Sequence, residues 1–382
     1  VSIGGYTALV YSSTSGRVVG SAELPINAPP TWARQINAST ANQITMPLQS
    51  QGWAPGVLRS LMIPWRFSIA VLWGDYVCNA GPITAYPVDD AGGTVQVSFG
   101  GFWSLLNRRN LHHPAYDPAT TLITDPSADV TITGQLWDIA AAIVRNAVTM
   151  TGRPGSALPV DIPADSGTGT NTRTYNGFDL APCGQRLQEL TQVGGGPDVD
   201  FAPYLLNVPG SGRFIRHRMA IGKPYITQLG APVAFDYKST IQGLPLDADG
   251  STVATAAWVK GAGNSQTQLS GYANNPGLIT NGWPLLDYVD SNHSSESSQD
   301  VLNAYATADI GLYGKSTETW KPLIRIDGVS PLGSYDPGYF ATYNVIGHPW
   351  IPDGLYSVRI IGLANGSDPN TVTHALDARG AF

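Results

Sequence analysis

Residues 178–206 read Phe178-Asp-Leu-Ala-Pro-Cys-Gly-Gln-Arg-Leu-Gln-Glu-Leu-Thr-Gln-Val193, then Gly194-Gly195-Gly196-Pro197, then Asp198-Val-Asp-Phe-Ala-Pro-Tyr-Leu-Leu206. Asp179 is placed to cap a helix, Pro182 suits a first helical turn, and Cys183, Leu187, Leu190 and Val193 fall near one face. Three glycines and a proline stop that helix, because ordinary residues resist the left-handed backbone such a stop uses. Beyond the stop the pattern alternates, with Val199 and Phe201 to one side and Asp198 and Asp200 to the other. This predicts a half-buried strand with a solvated acidic face. The stretch is a packed helix–turn–strand unit, and nothing in it carries catalytic chemistry.

Upstream, residues 135–150 hold the best helical pattern in the chain. Leu136, Ile139, Ala140, Ile143, Val144, Ala147 and Val148 recur at i, i+3, i+4, i+7, with Thr133 as a candidate cap. The helix 182–193 is expected to pack on it. A strand at 213–220 follows, so residues 112–222 read as a mixed α/β insertion. The regions on either side are β-like. In 1–111, Phe67, Ile69 and Val71 alternate, turn at Gly74-Asp75 and return through Tyr76-Val77-Cys78, a β-hairpin. Asp89-Asp90-Ala91-Gly92-Gly93 makes a second turn before Val95, Val97 and Phe99, and a helix is predicted over 102–111. The polar segment 31–47 fits either a strand with long excursions or a wrapping arm. In 223–382, strands are predicted at 237–244, 252–260, 322–327, 339–346, 355–363 and 371–377. A helical excursion lies near 283–310, its helix opened by Ser297 and Asp300 as a capping box with Val301, Tyr305 and Ala308 facing inward. The fold class is therefore mainly β with an α/β insertion: two small β-barrel modules, 1–111 and 223–382, flanking 112–222.

Composition agrees. Only 13% of the 382 residues are charged, about half the usual share of roughly 25%. Gly 43 and Pro 29 supply abundant turns. The formal charge of −7 disfavours nucleic-acid binding, which needs clustered cations to displace counterions. The richest basic cluster, Arg213, Arg216, His217 and Arg218, is too short for a groove. Cys78 and Cys183 match no zinc spacing and no disulfide framework, and read as buried free thiols. No signal peptide is expected, and no apolar run of membrane-spanning length occurs, so no membrane insertion by this chain is expected.

The candidates for chemistry each have a plainer reading. His112-His113 lacks the further ligands a metal needs, and adjacent side chains on an extended piece point apart. Asp89-Asp90 belongs to turn chemistry. Asp198 and Asp200 sit about 7 Å apart on one strand, whereas a retaining glycosidase sets its carboxylates about 5 Å apart across a cleft. The Gly-x-Ser-x-Gly, zincin, P-loop and dinucleotide motifs are missing. Catalytic, cofactor-binding and metal-binding residues are accordingly set at none, with no cofactor, and the protein is read as not an enzyme. The ten tryptophans are scattered, which suits core or subunit-interface packing more than sugar stacking.

The order of features resembles a known family. The hairpin runs to Gly81-Pro82-Ile83. Val95-Gln96-Val97-Ser98 and a short helix ending at Arg108-Arg109 follow. Next come the helix and Gly195-Gly196-Pro197-Asp198-Val199-Asp200-Phe201, then Trp283-Pro284-Leu285-Leu286. The helix from Asp300 to Ala306 precedes Tyr335-Asp336-Pro337-Gly338. This succession, from about residue 66 onward, is similar to that of the minor tail proteins, or baseplate (tail-tip) hub proteins, of long-tailed, non-contractile actinobacteriophages. It departs from the family in Tyr339, where Gly-Asp often follows the proline. The resemblance implies a structural virion protein at the tail tip, made in the host cytoplasm. It implies a homotrimer whose β-barrels alternate around a pseudo-sixfold ring. The implied partners are the distal tail protein above, other minor tail or fibre proteins below, and the tape-measure protein, with DNA only as passing cargo. Two alternatives stay open: a receptor- or carbohydrate-binding tail protein, and a tail-associated cell-wall hydrolase.

Overall fold

The computed structural model describes residues 4–20, 23–50, 56–113, 115–149, 155–228, 230–294, 296–366 and 368–380. The chain divides into two compact units, one of Val1–Gly243 with Pro322–Leu376, the other of Leu244–Lys321 with Asp377–Phe382. The architecture is mainly β.

The first unit holds two large sheets. One orders its strands Tyr6–Ser12, Phe67–Trp73, Tyr76–Ala85, Thr94–Gly100 and Ala41–Pro47, with Val88–Asp89 also paired to Thr94–Gly100. All of its pairs are antiparallel. The predicted hairpin turns at Gly74-Asp75, with Trp73 opposite Tyr76. The run Ile69, Ala70, Val71 is buried throughout. The other sheet runs Val233–Asp236, Phe340–Val345, Gly354–Asn365, Thr371–Leu376, Leu323–Arg325 and Ile241–Gly243, and Ala33–Gln35 pairs with Gly354–Asn365. Segment 31–47 therefore gives one strand to each sheet, Ala33–Gln35 and Ala41–Pro47.

Both sheets are open paths, and the strand pairings close no barrel among the described residues. Closure of the first sheet would require its edges, Tyr6–Ser12 and Ala41–Pro47, to share a ladder. Residues 19–20 and 23–31 occupy both edges instead. Val19 and Leu24 donate to Val10 and Ala8 at 2.9 and 2.8 Å, while Asn27 and Thr31 donate to Thr45 and Gln43 at 3.0 and 2.9 Å. Leu24 and Ile26 are buried along this segment, and Trp32 directly after it. An irregular segment satisfies the edge groups that strand pairing would otherwise satisfy.

The two predicted helices pack on each other. Helix Leu136–Val148 and helix Cys183–Thr191 share one apolar cluster with Trp103, Val130, Val199, Phe201 and Met219. Leu187 and Leu190 sit at its centre, 0% and 2% exposed, and burying each such side chain stabilises by about 1.5–3 kcal/mol. Both cysteines are buried free thiols. The strand after the glycine stop, Val199–Val208, forms a long hairpin with Gly212–Ile221. The helix predicted over 102–111 is a single turn, Trp103–Leu106. It ends because the following residues pair with the segment before helix Cys183–Thr191, Leu111 donating to Ala181 at 2.9 Å.

The second unit is a small α/β layer. Strands Ser270–Asn274, Ala256–Lys260 and Asp287–Asp290 lie side by side in that order. Helix Gln299–Tyr313 covers one face through Leu302 and Ala306 against Ala257 and Val259. The expected inward face was Val301, Tyr305 and Ala308, but Val301 and Tyr305 are exposed. The cap is Ser298, whose hydroxyl accepts from Val301. Moving the buried stripe by one residue rotates it about 100° around the helix. Gly271 explains the seating, since a Cβ there would lie 2.2 Å from the Leu302 carbonyl oxygen. Strands Leu246–Asp249, Thr317–Trp320 and Arg379–Gly380 form a further sheet of this unit. No helix among the described residues is long and apolar enough to cross a membrane.

Candidate functional site

Ala33–Gln35 adds to the second sheet, with Arg34 opposite Leu363. Its backbone is also gripped from the first sheet. Ala33 donates to Asn42 Oδ1 at 2.8 Å, and Asn79 Nδ2 reaches Asn42 Oδ1 at 3.1 Å and Thr40 Oγ1 at 3.0 Å. Asn42 and Asn79 are buried, so these bonds satisfy groups that water cannot reach. The strand thereby holds Arg34, 4% exposed, at a junction of both sheets and the insertion hairpin.

Arg34 Nη2 donates to Asp336 Oδ1, and its Nε lies 3.5 Å from Asp200 Oδ2. Tyr76 donates its hydroxyl to the same Asp336 oxygen at 2.9 Å. A second pair lies at the start of the same hairpin strand. Arg359 Nη1 donates to Asp198 Oδ2, which also accepts from the Ile226 amide at 3.2 Å. Asn37, at a positive φ of 60°, accepts from the Val199 amide at 2.7 Å and donates to Asp198 Oδ1 at 3.3 Å. Gly338 is required where the turn after Asp336 approaches this cluster. Its φ is 95°, and a Cβ there would lie 2.7 Å from Ile226.

The expected solvated acidic face is therefore corrected. Asp198 and Asp200 are 5% and 3% exposed, as buried as Val199 and Phe201 beside them. One face of the strand meets the insertion core and the other meets two arginines, so alternation marks two kinds of burial. The two sequence motifs, Gly-Pro-Asp-Val-Asp and Tyr-Asp-Pro-Gly, converge on Arg34. Arg34 was not singled out by sequence reasoning, since one arginine in a polar segment carries no periodic signal.

One cation here serves two carboxylates. Burial opposes Arg34's charge, but Tyr76, Asp336 and Asp200 more than offset it and raise its pKa. Burial likewise opposes the charge of Asp336, yet Arg34 and the Tyr76 hydroxyl hold its carboxyl below the usual range. For Asp200, burial dominates and Asp336 adds to it, so despite Arg34 the carboxyl is pushed up to about 6. The arrangement is a structural ion network. Its donors and acceptors are turned on each other. A small cleft lined by Arg34, Asn79, Phe102 and Asp200 adjoins it.

The other candidates are placed as follows. His112 is buried with its ring 5.3 Å from Tyr116, while His113 is exposed. No group of three or more metal-ligating side chains occurs among the described residues. Asp89 accepts from the Gly92 amide at 2.8 Å, as its turn requires. The basic cluster is split by the strand's alternation: His217 turns inward, its Nε2 3.2 Å from the Ala80 carbonyl oxygen, while Arg216 pairs with Asp161.

Two buried histidines set a pH dependence. Burial pushes His217 down to about 4 and His374 down to about 3. Both folded values lie below the ordinary 6.5, so the unfolded chain binds more protons and stability falls as pH drops through 6.5. At pH 5 each histidine costs about 2 kcal/mol relative to pH 7.5. Asp200 acts oppositely, since its raised value favours the protonated native state below pH 6, returning about 1 kcal/mol. Urea midpoints at pH 7.5 and 5.0 measure the sum. A net loss is expected, and His374→Gln is expected to flatten it; equal slopes in both proteins would exclude His374 as a source.

Comparison with family models and with curated proteins gives no match. Solved structures do match. The 43 kDa tail protein of prophage MuSo2 from Shewanella oneidensis aligns over 97% of this chain and 98% of its own, at 11% identity and a TM-score of 0.53. The tail protein from Neisseria meningitidis MC58 aligns over 98% and 97%, at 12% identity and a TM-score of 0.50. The chain has the fold of these phage tail proteins.

Proposed function

We propose that this chain is a structural tail protein of a phage virion, and that three copies close into a hub ring at the tip of a long, non-contractile tail. The observation that carries the reading is the near-complete overlap with two tail proteins, in both directions. Shared architecture over the whole length favours a shared assembly role more than a borrowed domain. In this reading 1–111 and 223–382 each supply one β module of the ring, and 112–222 projects from it. The ring joins the distal tail protein to tip or fibre proteins, encloses the end of the tape-measure protein and lets DNA pass as cargo. The host is an actinobacterium, as the order of sequence motifs suggests. The role is mechanical, and the buried ion network serves it by fixing the second-sheet strand Ala33–Gln35, which side chains of the first sheet also hold.

Native mass measurement of the purified chain tests the trimer. A mass near three times 40.4 kDa at micromolar concentration is expected. A monomer that persists at high concentration, or antibody labelling of virions away from the tail tip, would overturn the hub.

A further inference from the structure

The three-stranded sheet of the second unit has a helix on one face only. Its other face is open, and a sheet face in water ordinarily carries polar residues. Here Trp258 stands at its centre, in register with Tyr272 on one side and Val289 on the other. These side chains are 41%, 42% and 52% exposed. The two rings are 4.5 Å apart at 49°. The Trp258 ring is fixed, its Nε1 donating to Asp287 Oδ1 at 2.9 Å. Strand alternation places Lys260, Ser270, Asn274 and Asp287 on the same face, and all four are exposed.

Size and charge select the occupant. Three strands about 4.8 Å apart, with side-chain repeats of about 7 Å, give a face on the order of 150 Å². A stable protein pair commits about 800 Å² per partner, so the face is too small to be a protein interface by itself. A nucleic-acid base would stack on the rings, but its phosphates need clustered cations. Lys260 and Asp287 leave this rim without net charge. A neutral sugar ring fits both features. It offers a C–H face to an aromatic ring and a rim of hydroxyls that donate and accept. The lysine and amide donors and the carboxylate and hydroxyl acceptors around Trp258 match that rim. We propose that this face is a shallow binding site for a neutral saccharide, with Trp258 and Tyr272 as its platform. The site does not depend on the hub reading, since it lies on one unit of a single chain.

The test uses the full chain against immobilised neutral oligosaccharides, namely hexamers of glucose, mannose, galactose, arabinose and N-acetylglucosamine. The expected result is binding of at least one. Trp258→Ala should weaken it by roughly tenfold, what one stacked aromatic contact supplies. Tyr272→Ala should weaken it less. Trp350→Ala, which removes a more exposed ring elsewhere, 75% against 41% for Trp258, should leave it unchanged. Far-UV circular dichroism of each variant checks that it folds. Failure of the wild-type chain to bind any of the five at millimolar concentration overturns the proposal. So does binding that survives Trp258→Ala, or a change in native mass on Trp258→Ala, which would mark the face as a contact between copies.

Discussion

Leu187→Asp is expected to give no folded protein. Leu187 is 0% exposed in the insertion core, beside Leu190 and the helix Leu136–Val148. The substitution removes the transfer and packing contribution of a leucine, about 2–5 kcal/mol by the leucine-to-alanine scale. It also places a carboxylate where the surrounding cluster is apolar, at a further cost of several kcal/mol unless the group stays protonated. The sum approaches the whole stability of a typical domain, about 5–15 kcal/mol. Circular dichroism and sedimentation of the expressed variant read the outcome, with Leu187→Met as the control that keeps volume and polarity. Soluble, cooperatively melting Leu187→Asp protein at neutral pH would show that this helix buries a different face.

That helix was legible because its apolar spacing, glycine stop and following alternation all agree. The hairpin at Gly74-Asp75 was legible for the same reason. Two other features defeated local reading. In helix Gln299–Tyr313 both candidate stripes are mildly apolar, and the choice between them is made by Gly271 on one strand and Gly261 just past the end of its neighbour, where Cβ atoms would strike Leu302. A helix's own sequence cannot report how closely a sheet approaches it. Along Asp198-Val-Asp-Phe the alternation was read correctly and its meaning was not. Period two distinguishes faces, but water and a buried arginine both favour aspartate. What distinguishes them is Arg34 and Arg359, which are about 160 residues away in either direction and carry no spacing signal. The edges of the first sheet follow the same logic. Val19, Leu24, Asn27 and Thr31 lie outside the regular strands, yet their backbone amides satisfy groups on both edges.

Arg34→Met is expected to destabilise the protein by about 3–5 kcal/mol, the usual cost of removing one partner from a buried ion network. The reason is asymmetric. The aliphatic stem is largely replaced, so packing changes little, but two buried carboxylates lose their shared cation. Asp336 keeps the Tyr76 hydroxyl, and both carboxylates keep only the weaker field of Arg218 as a cation, with Asp200 already pushed up to about 6. Both then favour the protonated form, so the loss should be largest above pH 7 and shrink on acidification, opposite in sign to the histidine effect. The double variant Asp200→Asn with Asp336→Asn supplies the cycle. If the carboxylates are destabilising only without Arg34, then adding both changes to Arg34→Met should recover part of the loss. Urea midpoints of the four proteins at pH 7.5 measure this. An Arg34→Met midpoint within error of the parent would mean the network contributes nothing to holding Ala33–Gln35 between the sheets. A large loss that the two asparagines fail to relieve would assign the effect to the arginine's packing and not to its charge.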